Sequence, residues 1–122
     1  MIATLAEVNL DSADPAALMR FYQRVLGGDV SVLSEDFVVL RLAGVAITSS
    51  RVADFRPSTW PDNTVPTQVH FDLRVPNLDA AEVELIAVGA RLADHQPLPD
   101  QYRVFFDPAG HPFCACLVAD WA

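Results

Sequence analysis

The strongest constraint in this sequence is an internal repeat. When residues 43–54 are shifted by 66 positions onto residues 109–120, five of the twelve aligned positions carry the same residue. About one identity is expected by chance from ordinary composition. The identical pairs are Ala43/Ala109, Gly44/Gly110, Val52/Val118, Ala53/Ala119 and Asp54/Asp120. The repeat predicts two copies of one module, with the inner faces of their sheets forming a cleft.

Hydrophobic periodicity predicts the elements of the first module, which spans about residues 1–55. Alternation over residues 6–11 indicates a strand. Asp14 followed by Pro15 is typical of a helix start, and the helix is expected to end at Gly27. Its apolar stripe consists of Leu18, Phe21, Tyr22 and Val25. Three short strands are predicted at residues 30–33, 37–42 and 45–48.

The same pattern returns in a second module at about residues 68–122, after an aperiodic segment at residues 56–67 that is predicted to be a linker or loop. Residues 69–75 alternate as a strand, Asn77 is expected to cap a second helix, and Gly89 is expected to end it. The stripe of that helix consists of Leu78, Ala81, Leu85 and Val88. Further strands are predicted at residues 91–93, 102–106 and 113–118. We therefore expect a single α+β domain of two tandem β-α-β-β-β modules.

The charge of the chain restricts its partners. Eight basic and 16 acidic residues give a net charge of −8, and the chain contains no lysine. We expect no nucleic-acid or membrane partner, because both select for basic side chains. A cationic small molecule is compatible with the acidic balance. The absence of lysine also excludes Schiff-base chemistry.

The N-terminal residues and the cysteines predict a reduced, cytoplasmic protein. Residues 1–11 contain neither the basic stretch nor the apolar run that is typical of export signals. Cys114 and Cys116 lie two residues apart, so they share one face of a strand, and a disulfide between them would strain the backbone. Both are expected to be free thiols.

The parity of the strands predicts which polar side chains face the cleft. The residues concerned are Glu7, Asn9 and Asp11 in the first module and His70, Asp72 and Arg74 in the second. The repeat aligns Glu7 with His70 and Thr48 with Cys114. A carboxylate, an imidazole and a thiolate are good transition-metal ligands, whereas a threonine hydroxyl is a poor one.

Each of these residues also has a plainer interpretation. A polar strand face is often only solvated, and cysteines are most often small buried hydrophobes. Asp72 and Arg74 lie two apart on one face and are expected to form an ion pair. Three aromatic residues either border a pocket, where they would stack on a planar ligand, or cover core. These are Phe55, Trp60 and Tyr102.

Three motifs accompany the repeat. They are Asp14-Pro15 with Phe21-Tyr22-Gln23-Arg24-Val25-Leu26-Gly27, His70-Phe71-Asp72-Leu73-Arg74-Val75 with Asp79-Ala80-Ala81, and Asp107-Pro108-Ala109-Gly110-His111-Pro112-Phe113. With these motifs the chain resembles, over nearly its whole length, the vicinal oxygen chelate superfamily of glyoxalase, bleomycin-resistance and dioxygenase proteins. Its second half is most similar to the small glyoxalase-like domain branch. The resemblance implies a U-shaped, incompletely closed barrel and a homodimer.

The resemblance also implies a divalent metal that is held by one ligand from each of four strands. These positions fall on Glu7, Thr48, His70 and Cys114, and only His70 keeps the residue that is common in the family. Because the fourth position carries no carboxylate, standard glyoxalase I chemistry is not expected. The two-His, one-Glu pattern of extradiol dioxygenases is not met either.

Three functions remain open at this point. The first is a protein without a cofactor that binds a cationic, aromatic small molecule, as drug-sequestering members of the superfamily do. Its ligand-binding residues would be Asn9, Asp11, Trp60, Asp72, Arg74 and Tyr102, with Glu7 and His70. The alternative is a lyase, isomerase or dioxygenase in which Glu7, His70 and Cys114 hold Zn, Mn, Fe or Ni, or in which Glu7 and His70 form a metal-free acid–base pair. The third is an interaction module without a ligand.

Overall fold

The computed structural model describes residues 1–117 of the chain. The chain divides into two compact units, residues 1–55 and 56–122. Within the described residues each unit contains a four-stranded mixed sheet and a helix, in the same element order. The α+β class and the two tandem β-α-β-β-β modules are therefore confirmed. Of the residues that define the repeat, Val118, Ala119 and Asp120 lie outside the described part.

The first unit begins with an edge strand and a capped helix. Its elements are β1 (Glu7–Ser12), α1 (Pro15–Leu26), β2 (Asp29–Ser34), β3 (Phe37–Arg41) and β4 (Ala46–Arg51). The sheet order is β1-β4-β3-β2, in which β4 is parallel to β1 and antiparallel to β3. The Asp14 carboxylate caps α1 by accepting a hydrogen bond from Ala17 N at 3.1 Å, as its position before Pro15 predicts. The predicted strand ends differ by a few residues, because backbone pairing sets them rather than side-chain pattern.

Helix α1 packs on one face of the first sheet. The buried apolar side chains are Leu18, Met19, Phe21 and Tyr22 of the helix and Leu10, Val38, Leu40 and Ile47 of the sheet. Because side chains alternate along a strand, the opposite face of β1 carries Glu7, Asn9 and Asp11. This is the parity that the sequence predicts.

The second unit repeats this topology. Its elements are β5 (Phe71–Arg74), α2 (Leu78–Ala87), β6 (Arg91–Leu92), β7 (Tyr102–Phe106) and β8 (Pro112–Cys116). The sheet order is β5-β8-β7-β6, with β8 parallel to β5 and antiparallel to β7. Asn77 caps α2 through Ala80 N at 2.8 Å. Residues 56–67, predicted as a linker or loop, contain no helix or strand and group with this unit.

Two aromatic rings occupy the core of the second unit. Phe105 and Phe113 are fully buried, and their rings stack with centroids 5.5 Å apart. On the same face of β7, the Arg103 guanidinium contacts the carboxylates of Asp79 at 2.8 Å and Glu82 at 3.2 Å. Helix α2 therefore covers this face, and the intervening residues of β7 and β8 point to the opposite face.

Candidate functional site

A pocket of about 500 Å³ lies on the face of the second sheet opposite α2. Strand register builds its floor, because Cys114 lies beside Asp72 on β5 and beside Val104 on β7. The side chains with functional groups in its lining include Trp60, His70, Asp72, Tyr102, Cys114 and Cys116. Every lining residue that the structure describes belongs to the second unit.

The first wall of the pocket is the segment of residues 56–68. Pro57 packs against Gly110 so closely that a Cβ on Gly110 would lie 2.5 Å from Pro57 Cβ. The Ser58 hydroxyl forms a hydrogen bond with Thr67 Oγ1 at 2.7 Å and accepts another from Trp60 N at 3.1 Å. These contacts hold Trp60 and Thr67 at the pocket, so a segment without regular secondary structure is a defined part of the site.

The second wall is the loop of residues 93–101. It begins where β6 ends after two residues. Ala93 N still donates to Val104 O at 3.0 Å, and the Gln96 side chain supplies the other bonds to β7. Gln96 Nε2 donates to Val104 O at 2.8 Å and to Ala93 O at 2.9 Å, and Gln96 Oε1 accepts from Val104 N at 2.9 Å. The side-chain amide thus replaces a missing strand residue and fixes the loop that brings Pro97 into the pocket lining.

Two aromatic side chains give the pocket a largely apolar interior. Trp60 and Tyr102 are half-buried and pack against the apolar cluster of Ala93, Val104, Phe106 and Cys114. The Trp60 ring also contacts the His95 imidazole, with centroids 5.5 Å apart. The exposed parts of both rings offer flat surfaces to a planar ligand.

The polar groups of the pocket converge on one carboxylate. Asp72 Oδ1 lies 3.3 Å from His70 Nε2 and accepts a hydrogen bond from Cys116 Sγ at 3.7 Å. About half of each of the His70 and Asp72 side chains remains exposed, at 48% and 57%. Asp72 therefore carries a negative charge that a ligand in the pocket can reach.

The two thiols of the pocket are held in their protonated form. Burial raises the pKa of Cys114 to about 12, and the negative charge of Asp72 adds to this shift. Burial and Asp72 also raise the pKa of Cys116. Because the thiolate is the nucleophilic form of cysteine, neither side chain is an activated nucleophile at neutral pH. Both are free thiols, as predicted.

The candidate residues of the first module lie on the face of the first sheet opposite α1, as predicted. Thr48 is fully buried, and its Oγ1 accepts a hydrogen bond from Asn9 Nδ2 at 2.8 Å. The same amide nitrogen donates to Ser50 Oγ at 3.0 Å. Glu7 and Asp11 are exposed on this face. The buried Thr48 hydroxyl thus has a hydrogen-bond partner on the neighbouring strand.

Two expectations about neighbouring side chains differ from the structure. Within residues 1–117, Asp72 lies 3.3 Å from His70 Nε2, and the expected ion pair of Asp72 with Arg74 is not formed. Arg74 and Phe55 are not part of the pocket lining. Both His70 and Arg74 lie two residues from Asp72, so spacing alone does not decide which of them pairs with the carboxylate.

Sequence reasoning missed four residues that line this pocket or support its walls. Cys116 joins Cys114 at the floor, and their shared parity was the available signal. Gln96 and Pro97 come from a polar loop without periodicity, which predicts no position over the sheet. His95 contacts Trp60, although nothing in its spacing indicates a partner.

Comparison with known proteins agrees with this architecture. The family model described as glyoxalase-like domain matches residues 7–116. The chain belongs to this family. The glyoxalase-like family is part of the vicinal oxygen chelate superfamily, as the motifs predicted. A search of curated proteins found no match to this chain. None of the helices in residues 1–117 is long and apolar enough to cross a membrane.

Solved structures show the same fold at low sequence identity. A glyoxalase/bleomycin resistance protein/dioxygenase family enzyme from Burkholderia phytofirmans PsJN has a TM-score of 0.70 and 22% identity, covering 96% of this chain and 100% of that one. A glyoxylase/bleomycin resistance protein/dioxygenase domain from Frankia sp. EAN1pec has a TM-score of 0.66 and 23% identity, covering 98% of this chain and 100% of that one. The bleomycin-binding protein of bleomycin-producing Streptomyces verticillus, complexed with copper(II)-bleomycin, has a TM-score of 0.59 and 18% identity, with coverage of 98% and 100%.

The superfamily implies a metal, and the residues of this chain fit one only in part. The Thr48 hydroxyl is already bound to Asn9, and Glu7 belongs to the first unit. In the second unit, single donor atoms of His70, Asp72 and Cys114 lie within 4.8 Å of one another. Within residues 1–117, this is the one group of at least three such side chains close enough to share an ion. Within one module, a three-donor group is therefore compatible with a metal.

Proposed function

We propose that this glyoxalase-like protein binds a planar, cationic small molecule in the second-module pocket, without the usual four-ligand metal site. The observation that carries the proposal is the position of Asp72, a half-exposed carboxylate at the floor of a pocket with aromatic walls. A ligand of this class would stack on Trp60 and Tyr102 and direct its positive charge toward Asp72.

The size and composition of the pocket support a ligand of this kind. Its volume of about 500 Å³ lies within the range of roughly 300–1,000 Å³ that is typical of small-molecule pockets. Such pockets combine apolar walls with a few polar groups that orient the ligand. Here Trp60, Tyr102 and Val104 supply apolar surface, and His70 and Asp72 supply the polar groups.

The electrostatics favour a cation over an anion. The pocket lining contains an acidic residue and no arginine, and the chain as a whole has a net charge of −8 and no lysine. A charged partner in a cleft lined by the opposite sign is attracted over a longer range than a single contact provides. The Streptomyces verticillus neighbour is a bleomycin-binding protein of the same fold, so copper(II)-bleomycin is a second probe for this chain.

A matched pair of dyes tests the proposal. At pH 7.5, 9-aminoacridine is a planar cation and acridine is a neutral molecule of nearly the same shape. We expect 9-aminoacridine to bind more tightly to the chelator-treated protein when its fluorescence is titrated. Asp72→Asn should weaken the binding of 9-aminoacridine by about five- to tenfold, equivalent to ~1 kcal/mol, and leave the binding of acridine unchanged. Trp60→Ala should weaken both dyes by about tenfold or more, because stacking does not depend on ligand charge.

The control is Asp100→Asn, which removes an exposed carboxylate of the same unit that is not part of the pocket lining. It should bind both dyes as the unmodified protein does. Equal affinities for the two dyes, with no effect of Asp72→Asn, would overturn the assignment of a cationic ligand. Failure of both dyes and of copper(II)-bleomycin to bind would overturn the proposed function itself.

The alternative function, a metal-dependent lyase, isomerase or dioxygenase, has a different supporting observation. It requires a metal in the pocket, and the group of His70, Asp72 and Cys114 is the arrangement that favours it. The homodimer and the cytoplasmic location implied at the sequence level stay predictions. Size-exclusion chromatography with light scattering tests the dimer.

A further inference from the structure

We propose that His70, Asp72 and Cys114 form a zinc site that is contained within the second module and opens into the pocket. This donor set differs from the one expected from the family positions, because Asp72 takes the role assigned to Glu7. The proposal concerns the same pocket as the organic ligand but does not depend on that ligand. The observation behind it is the convergence of three different donor atoms within 4.8 Å of one another.

The backbone places these three residues together. Asp72 and Cys114 are paired in the parallel register of β5 and β8, so their side chains lie side by side on one face of the sheet. His70 precedes Asp72 by two residues, and its Nε2 lies 3.3 Å from Asp72 Oδ1. The group therefore arises from strand pairing and not from the reach of long, flexible side chains.

One donor distance of the group agrees with a tetrahedral zinc site, and the others lie within 4.8 Å. With Zn–S about 2.3 Å and Zn–N or Zn–O about 2.0 Å, tetrahedral donors lie about 3.5 Å apart. The His70–Asp72 distance already approaches this value. Cys114 is buried at the floor, whereas His70 and Asp72 are about half exposed and free to adjust toward its sulfur. Cys114 would therefore fix the position of the ion.

The donor types select zinc among the common divalent ions. Thiolate and imidazole ligands suit zinc, and they disfavour magnesium and calcium, which take oxygen ligands. Three protein ligands leave one tetrahedral position open, as in catalytic zinc sites. Because the donors line the pocket, that position faces the space where a ligand would lie.

Zinc would change the charge of the pocket floor. Without metal, Asp72 contributes one negative charge while the Cys114 thiol is protonated. On binding, the S–H bond of Cys114 breaks, its proton goes to solvent, and a Zn–S bond forms. The ion, the thiolate and the carboxylate then sum to zero charge. The zinc-loaded pocket would therefore lose its preference for cations and offer a coordination position to an oxygen-donor ligand.

Metal titration of the reduced, chelator-treated protein tests the site. We expect one zinc ion per chain, measured by competition with a chromogenic chelator. Cobalt(II) should produce the near-ultraviolet thiolate-to-cobalt charge-transfer band. Zinc affinity should fall by at least about tenfold in each of the variants His70→Gln, Asp72→Asn and Cys114→Ala. Cys114→Ala should also abolish the charge-transfer band. Asp100→Asn, which removes an exposed carboxylate outside the group, should change neither the zinc affinity nor the band.

Three results would overturn the assignment. These are no stoichiometric zinc on the unmodified protein, zinc affinity unaffected by Asp72→Asn, or a charge-transfer band that survives Cys114→Ala. Because His70 is half exposed, His70→Gln tests the site without disturbing the core if the buried variant fails to fold. Circular dichroism of each metal-free variant verifies its fold.

The same samples separate this proposal from the proposed function. Zinc is titrated without dye and dye without zinc, so failure of one leaves the other standing. If the protein binds both zinc and dye, zinc should lower the affinity for 9-aminoacridine by about tenfold, because the ion cancels the attraction of the dye to Asp72. Unchanged dye affinity in the zinc-loaded protein would place the ion outside the pocket and overturn the donor assignment.

Discussion

The two modules share one strand order, yet the residues at matching positions of their last strands have opposite surroundings. In the first module, Thr48 is fully buried and accepts a hydrogen bond from Asn9 on the neighbouring strand. In the second module, Cys114 lies beside Asp72 at the floor of a pocket. A duplicated backbone thus places two buried side chains at the same register, where Thr48 bonds to its neighbouring strand and Cys114 lines a pocket.

A second difference explains how the pocket arises. The third element of the first module is the six-residue strand β2, whereas its counterpart β6 has only two residues. The chain after β6 leaves the sheet and becomes a pocket wall, and the amide of Gln96 completes the edge of β7 in place of backbone. Shortening one edge strand therefore creates a binding wall, provided that a side chain replaces the lost backbone pairing.

The largest expected effect sharpens the comparison of Cys114 with Thr48. In the folded protein the pKa of Cys114 is about 12, whereas its ordinary value is 9.0. Above pH 9 the unfolded chain loses this thiol proton and the folded chain retains it. The unfolded state then binds fewer protons, so the free energy of unfolding falls as pH rises, by about 1.4 kcal/mol per pH unit and about 4 kcal/mol by pH 12.

Urea unfolding from about pH 8 to about pH 10.5, with reductant and chelator present, measures this dependence. Cys114→Ala should remove the part due to Cys114 and leave the part that the raised pKa of Cys116 contributes, so that the variant and the unmodified protein converge in stability as pH rises. Thr48→Ala alters the matching position of the first module, which carries no titrating group, and should lower stability by the same amount at every pH. Parallel pH profiles of Cys114→Ala and the unmodified protein would contradict the prediction.

The next effect compares the two glycines that the repeat aligns. Gly44 and Gly110 both have positive φ angles, +81° and +93°. A Cβ on Gly44 would have no neighbour within 4 Å, whereas on Gly110 it would lie 2.5 Å from Pro57 Cβ. Gly44→Ala should therefore cost only backbone strain, about 1–2 kcal/mol. Gly110→Ala should cost about 3 kcal/mol, because steric conflict with the pocket wall is added.

Chemical denaturation gives both free energies, and dye titration shows whether the wall moves. Gly110→Ala should weaken 9-aminoacridine, since Pro57 belongs to the segment that carries Trp60. Gly44→Ala should leave dye binding unchanged. Equal losses of stability for the two variants would mean that the contact of Gly110 with Pro57 does not hold the wall.

The sequence predicts the features that repeat and misses those that differ between the modules. Alternation and capping residues identified both helices and placed β7 at residues 102–106. Parity put His70, Asp72 and Cys114 on one face, because side-chain direction depends only on backbone geometry. The positions of residues 56–68 and 93–101 over the sheet were not predicted, since these segments have no periodicity, although Trp60 was expected to border a pocket.

The set of three proposed zinc donors was predictable only in part from the sequence. Two of the three proposed zinc donors, His70 and Cys114, follow from strand parity and from the family positions. The third, Asp72, was assigned to ligand binding and to an ion pair with Arg74. The choice between His70 and Arg74 depends on side-chain rotamers, which spacing does not determine.

The smallest effect tests whether Gln96 acts as the missing strand residue. Gln96→Met keeps the length of the side chain but removes its three hydrogen bonds to Ala93 and Val104. Val104 is buried, and its N–H would lose its partner, so the free energy of unfolding should fall by about 2 kcal/mol. The exposed residue Gln101 provides the control, since Gln101→Met should change stability by no more than about 0.5 kcal/mol.

If Gln96 fixes the second wall, its variant should also bind both dyes less tightly, because Pro97 is no longer held at the pocket. Equal stability and equal dye binding for the two variants would show that the short strand β6 suffices by itself, and that the wall owes its position to packing around Trp60.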